Sequence, residues 1–259
     1  MSNPSIDLNI EGNVAVLTMN NPPANTWTQD TLTTLKDTVT ELNANKNVYA
    51  LVITGQGEKF FSAGADLNVF ASGDKGVAAT MSKVFGDAFE ALTNFRGVSI
   101  AAINGYAMGG GLEVALACDI RIAEEQAQMA LPEAKVGLLP CAGGTQNLAW
   151  LVGEGWAKRM ILCGERLKAE KAREIGLVEE VVGAGESLAA AMKLANQVGE
   201  QSPVAVTACK ELIQKGRTQP MAHALPLERE LFVQLFDTQD QKEGVNAFLE
   251  KRKANWVNG

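Results

Sequence analysis

Three consecutive glycines, Gly109, Gly110 and Gly111, stand between an apolar run and the helix-like segment Leu112 to Ala117. Glycine loses more conformational freedom on folding than any other residue, so a triplet at a strand-to-helix passage marks backbone that turns sharply or approaches another segment closely. Close helix-to-strand packing is one reading. The other is a set of exposed N–H groups at a helix start, beside the carboxylate of Glu113. A second small-residue loop, Phe60-Phe61-Ser62-Ala63-Gly64-Ala65-Asp66, also follows a strand. Two loops that each aim one N–H at a common point form an oxyanion hole, and Glu133 adds a second acid/base group. The combination points to chemistry on a carbonyl compound.

The surrounding pattern alternates strand and helix, which indicates an α/β core. Apolar positions in Ile6 to Ile10 and Val14 to Met19, around Glu11-Gly12-Asn13, predict a hairpin. Leu32, Leu35, Val39 and Leu42 recur at helical spacing, and Val48 to Thr54 reads as a buried strand ending at Gly55-Gln56-Gly57. Leu67 to Thr80 is mixed, with Gly73 and Gly76 predicting a mobile stretch, and a helix follows over Met81 to Phe95. Strands are expected at Ser99 to Ile103, around Asp119 to Ala123, at Gln128 to Leu131 and at Leu177 to Val182. From Thr145 helices dominate, interrupted at Gly153 and Gly164. Glu186 to Val198, Pro203 to Lys215, Pro220 to Phe236 and Gln239 to Lys253 all read as helical, with Pro203 and Pro220 near first turns. The division this suggests is a core over residues 1–200 and a helical region over 201–259.

Composition removes several function classes. Thirty acidic against 23 basic residues, a net charge of −7, leave no clustered cation surface for nucleic acid. Cys118, Cys141, Cys163 and Cys209 contain no C-x-x-C pair, so neither a zinc site nor a redox dithiol is signalled, and four buried or partly buried thiols in a reducing compartment are expected. Met1 to Glu11 shows no signal- or transit-peptide character, and no apolar run is long enough to span a membrane, which together predict a cytoplasmic protein. The single histidine, His223, lies far in sequence from the glycine loops, so a histidine-based triad is not supported. Ala107 breaks G-x-G-x-x-G after Gly105, and no P-loop pattern occurs.

Several blocks together carry a family resemblance. They are Asn21-Pro22-Pro23-Ala24-Asn25, Phe61 to Leu67, Asn104 to Glu113, Cys118-Asp119-Ile120-Arg121, Pro132-Glu133, Gly137-Leu138-Leu139-Pro140 and Gly143-Gly144-Thr145-Gln146. In order and spacing the chain resembles the enoyl-CoA hydratase/isomerase family of the crotonase superfamily, from the first strand to the tail segment Glu243 to Lys253.

The resemblance implies an α/β crotonase fold, a right-handed spiral of β-β-α units with a helical C-terminal region that assembles into homotrimers or hexamers. It implies oxyanion-hole amides at Ala65 and Gly110, and Glu113 and Glu133 as the two hydratase carboxylates, with Glu113 the principal base and Glu133 the principal acid. Glu133 follows Ala130-Leu131-Pro132, and an apolar wall there would raise its pKa. Backbone contacts to coenzyme A are implied around Ala24, Ala63, Gly64, Asp66 and Leu67, while Lys251, Arg252 and Lys253 either reach its phosphates or simply suit a helix end. The expected activity is a hydro-lyase acting on 2-enoyl-CoA thioesters, with coenzyme A as part of the substrate and with no metal, nicotinamide or bound prosthetic group. A 3-enoyl-CoA isomerase and a non-catalytic acyl-CoA-binding subunit are the rivals; keeping both glutamates favours water addition. The chain departs from the family pattern at Cys141, often glycine, at Asn147, often arginine, and at Val257, where a lysine is common. Leu225, Leu231, Phe232, Leu235 and Phe236 suit either a subunit interface or an internal core.

Overall fold

Strand β1 (Ser5–Glu11) folds back on β2 (Val14–Asn20) as the predicted antiparallel hairpin, with Glu11 opposite Val14 and Gly12 at φ +60° in the two-residue turn. The computed structural model describes residues 5–259, the side chain of Ser5 excepted, so the leader reading of Met1 to Glu11 falls, over residues 1–4, outside the described residues. Thr28 then starts α1 (Gln29–Ala44) with a capping box, its hydroxyl accepting from the Thr31 N–H while the Thr31 hydroxyl accepts from the Thr28 N–H. Leu32, Leu35, Val39 and Leu42 form the buried stripe of that helix.

From there the chain coils through a repeated order. Strand β3 (Ala50–Gly55) is followed by β4 (Phe60–Ser62), a 3-10 turn over Leu67–Phe70 and α2 (Lys75–Thr93). The next coil is β5 (Val98–Ile103), β6 (Tyr106–Met108) and α3 (Gly110–Ala117). A third is β7 (Ile120–Glu124), β8 (Gln128–Ala130), a 3-10 turn over Glu133–Val136 and α4 (Gly144–Leu162). Then come β9 (Leu167–Lys168), α5 (Ala169–Glu174), β10 (Glu180–Val182) and α6 (Ser187–Val198). In these three coils the first strand joins a large sheet of order β1-β2-β3-β5-β7-β10 and the second a small sheet of order β4-β6-β8-β9, whereas in the last stretch β9 joins the small sheet and β10 the large one. Every pairing is parallel except β1 with β2 and β8 with β9.

The large sheet is buried on both faces, which is why its central strands read as continuous apolar runs rather than alternating ones. Leu17, Leu51, Ile53, Ala101 and Ile103 point into the main core with the helices, while Val16, Val52, Ile100, Ala102 and Ile122 meet Ala191 and Ala195 of α6 on the other face. The C-terminal helices are α7 (Pro203–Lys215), α8 (Met221–Gln234) and α9 (Gln239–Leu249), with a 3-10 turn at Leu235–Asp237 between the last two. Lys210 of α7 is tied to the core through the carbonyls of Phe95 and Gly97 and the carboxylate of Asp119. Buried Asp240 accepts from the Ser202 hydroxyl and from the N–H groups of Val257 and Asn258, which holds the tail against α9.

Several expectations are corrected. Helix α2 begins at Lys75 rather than Met81, because Asp74 caps it by accepting from the N–H groups of Gly76 and Val77 and so offsets the helix-weakening glycine. The strand expected over Leu177 to Val182 is confined to Glu180–Val182, and the three-residue strands β4 and β6 were not anticipated. Of the four thiols only Cys118 is buried; Cys141, Cys163 and Cys209 are exposed. Leu225, Phe232 and Phe236 lie on the surface and Leu231 and Leu235 are half-buried, so this stripe is not an internal core. No helix among the described residues is long and apolar enough to cross a membrane.

The close approach announced by the glycine triplet is between α3 and β4. A Cβ on Gly111 would fall on the carbonyl oxygen of Ser62, a backbone atom that no rotamer change can move aside. Gly111→Ala is therefore expected to lower stability in urea by about 3 kcal/mol or more. A variant within experimental error of the parent would show that the two backbones are not in contact.

Candidate active site

The two small-residue loops meet. Gly64 sits at φ +89°, and a Cβ there would lie 2.6 Å from the Met108 carbonyl oxygen and 3.1 Å from the Gly110 nitrogen, so the first loop rests on the start of α3. Ala65 forms a bridge with Trp27 that uses the Gly64 carbonyl and the Asp66 N–H, which leaves the Ala65 N–H outside the pairing. Gly110 is the first residue of α3, so its N–H has no partner within the helix. Both residues line one cavity of about 510 Å³, together with Glu113 and Glu133.

Each carboxylate owes its position to a different element. Glu113 lies in the first turn of α3 and is 3% exposed. Its Oε1 accepts from the N–H of Ala142 at 2.8 Å and of Gly144 at 2.9 Å, at the start of α4, and a Cβ on Gly144 would press on the same oxygen. Burial raises the Glu113 pKa above its usual 4.5, and these two donors pull against the rise. Glu133 opens the short turn after Pro132, opposite Gly109, where a Cβ would stand 3.1 Å from its Oε1. Gly109 also needs to be glycine for its φ of +54°.

Neither Glu133 oxygen is exposed or hydrogen-bonded. Burial above all pushes the Glu133 pKa up to about 7, with the backbone N–H of Glu133 itself pulling against the rise and the charge of Glu113 adding to it. One cavity thus holds a carboxylate fixed by two donors and a carboxyl that keeps a proton near neutrality. Two carboxyl groups with environments this different can divide base and acid duties.

Ala63, Gly64 and Leu67 line the cavity, whereas Ala24 and Asp66 do not. The Ala24 carbonyl accepts from the Ala63 N–H and braces the loop from behind, and Asp66 caps the Leu67–Phe70 turn by accepting from the Asn68 N–H. His223 is exposed on α8 and Lys251, Arg252 and Lys253 lie elsewhere; Arg252 is paired with Glu243 and Glu250. Instead, Lys135 and Arg166 bring cationic side chains to the cavity, and neither belongs to a motif that a sequence reading singles out. The amides of Ala142 and Gly144 were missed too, being 29 and 31 residues from their acceptor.

Comparison with known proteins points to one family. Residues 9–259 match the family model described as enoyl-CoA hydratase/isomerase. The chain is 40% identical over 258 residues to the short-chain-enoyl-CoA hydratase of Clostridium acetobutylicum, with 96% of each chain covered. It is 65% identical to the solved structure of Pseudomonas aeruginosa DspI, with a TM-score of 0.95 over 97% of this chain and 96% of that one. The enoyl-CoA hydratase structure from Bacillus anthracis superposes with a TM-score of 0.94 at 35% identity, covering 100% of both chains.

The raised pKa of Glu133 has a thermal signature. A carboxyl whose folded-state value lies near 7 rather than 4.5 contributes stability below the lower value and loses it as pH rises through the higher one. Glu133→Gln, which cannot ionise, is expected to melt roughly 2–6 °C above the parent at about pH 8.5 and to show no gain at about pH 4.5. Equal shifts at both values would contradict the burial-driven rise.

Proposed function

The chain belongs to the enoyl-CoA hydratase/isomerase family, and from that membership and the cavity we infer a hydro-lyase that adds water reversibly across the C2=C3 bond of a 2-enoyl-CoA thioester to give the 3-hydroxyacyl-CoA. Its fold is the crotonase spiral. The observation that carries the assignment of roles is the pair of inward-facing glutamates with unlike proton affinities in one cavity.

In this reading the thioester oxygen sits between the N–H groups of Ala65 and Gly110, the latter at the positive end of α3. Ionised Glu113 takes a proton from water as the water oxygen bonds to C3. The C2=C3 electron pair moves towards the carbonyl, and the charge that collects on the thioester oxygen is held by the two amides, each of which supplies about 2.7–4 kcal/mol in comparable sites. Protonated Glu133 then delivers its proton to C2. The amides cost no reorganisation during the reaction, because the loop contacts that aim them are backbone against backbone.

Coenzyme A follows the Ala63-Gly64 loop and Leu67, with Lys135 and Arg166 as the cations nearest to it on the cavity wall. The reaction so written asks for no metal ion or redox cofactor. Residues 201–259 form the assembly region of a homotrimer or hexamer; Phe232, 62% exposed, and Phe248, 84% exposed, are large apolar side chains that a subunit contact would cover. The net charge of −7 speaks against nucleic acid as a partner, and we place the protein in the cytoplasm.

The test is loss of the conjugated-thioester absorbance of crotonyl-CoA. The parent is expected to consume it, and Glu113→Gln and Glu133→Gln to lower kcat by about 10²–10⁴ each with their folds intact. A parent that isomerises 3-enoyl-CoA but leaves crotonyl-CoA untouched, or that binds CoA esters and turns over neither, would overturn the hydratase reading.

A further inference from the structure

Trp27 is buried and stays out of the catalytic cavity, yet it meets both segments that supply the oxyanion donors. Its N–H donates to the Gly64 carbonyl at 2.8 Å and its carbonyl accepts from the Asp66 N–H at 3.1 Å, so the two bonds straddle Ala65. The Gly64 carbonyl and the Ala65 N–H belong to one planar trans peptide unit and point in opposite directions. Holding that carbonyl towards Trp27 therefore turns the Ala65 N–H away from Trp27.

The indole meets the second donor. A Cβ on Gly110 would stand 3.5 Å from Trp27 Cδ1, the ring carbon bonded to Nε1, and 3.0 Å from Phe85 Cε1. The ring also packs against Phe89 with 5.6 Å between centroids and 69° between planes, and Phe89 meets Phe85 at 5.6 Å and 84°. Such edge-to-face contacts fix the orientation of a ring as well as burying it. The main chain on either side of Trp27 is tied down too: the Asn21 side-chain amide donates to the Thr26 carbonyl at 2.7 Å, and Thr28 opens α1 with its capping box. Trp27 Nε1 is buried and has no hydrogen-bond partner among the described residues. Leucine or phenylalanine would fill a core position without leaving a donor unpaired, so filling space is not all that the indole does.

We propose that Trp27 is the positioning residue of the oxyanion hole: its backbone aims the Ala65 N–H, and its indole, packed against both Phe89 and Gly110, keeps that donor in register with the Gly110 N–H. The proposal rests on the hydratase reading, which sets the thioester oxygen between these two amides. Trp27 touches no reacting atom. Its contribution lies in the aim of donors that other residues supply, and misplacing such a group by about 1 Å costs up to about a hundredfold in rate. Negative charge collects on the oxygen mainly in the transition state, so loss of aim lowers kcat and leaves KM nearly unchanged. A general loosening of the core lowers the melting temperature without producing that split.

The experiment compares the parent with Trp27→Phe and Trp27→Leu. Crotonyl-CoA gives kcat and KM, and the absorption maximum of bound para-dimethylaminocinnamoyl-CoA is recorded, because the band of this thioester moves to the red as its carbonyl is polarised. Trp27→Leu is expected to lower kcat about tenfold to a hundredfold with KM within about twofold of the parent, and to lose most of the red shift. Trp27→Phe keeps the contact with Phe89 but falls short of Gly110, and is expected to lose about threefold to tenfold in kcat and part of the red shift. If Trp27→Leu does not fold, Trp27→Phe decides alone. A parent-like kcat and red shift in a folded variant overturn the proposal, as does a loss confined to KM, while crotonyl-CoA turnover by the parent still upholds the hydratase reading. A parent that shifts the probe to the red, with the shift reduced in the variants, but hydrates no thioester supports the role of Trp27 and removes that reading.

Discussion

The contact of backbone with backbone between the Gly109 to Gly111 turn and the Ser62 to Gly64 segment is the constraint on which the site depends. Side-chain packing would leave a gap of several ångströms between α3 and β4, whereas glycine on both sides lets carbonyl and amide groups approach directly. That approach brings Ala65 and Gly110, the first residue of α3, to one cavity, which Glu113, three residues later, also lines. The parallel pairing of β4, β6 and β8 then brings Glu133, three residues after β8, to the same cavity. Two donors and two carboxylates from widely separated segments are thus positioned by the rigid part of the fold.

The same arrangement works against stability. Burial disfavours the charged form of the Glu133 carboxyl, and the nearby charge of Glu113 adds to that cost. The fold sustains this because the large sheet is covered on both faces, by the main core on one and by α6 on the other. Glu113 is less of a burden, since two amides of the Ala142 to Gly144 segment meet its charge. The asymmetry that makes the pair useful is therefore an asymmetry of hydrogen bonding, imposed by where α4 begins and where the Pro132 turn leaves its glutamate unpartnered.

Local chemistry was legible in the sequence where it acts over a few residues. The Gly12 turn, the stripe of α1 and the glycine turn before Glu113 all follow from near neighbours, and the multi-block resemblance carried the fold. Strands β4 and β6 are three residues long, too short to show a period of two, so the small sheet that brings the loops together was hidden. Asp74 as a cap was readable in principle, but Gly73 and Gly76 on either side argued for a loop and masked it. The exposure of Cys141, the brace from Ala24, the arrival of Arg166 at the cavity and the donors to Glu113 depend on contacts between distant coils of the spiral, which no window of sequence contains.

The most direct test of the unlike glutamate pair is a carbon-13 NMR titration of the side-chain carboxyl groups in glutamate-labelled protein, with Glu133 assigned through its glutamine variant. The account predicts a Glu133 carboxyl that titrates near 7, with a Glu113 signal distinct from it and sensitive to the ionisation of its neighbour. A Glu133 resonance that titrates at the ordinary 4.5 of an exposed glutamate would contradict the account.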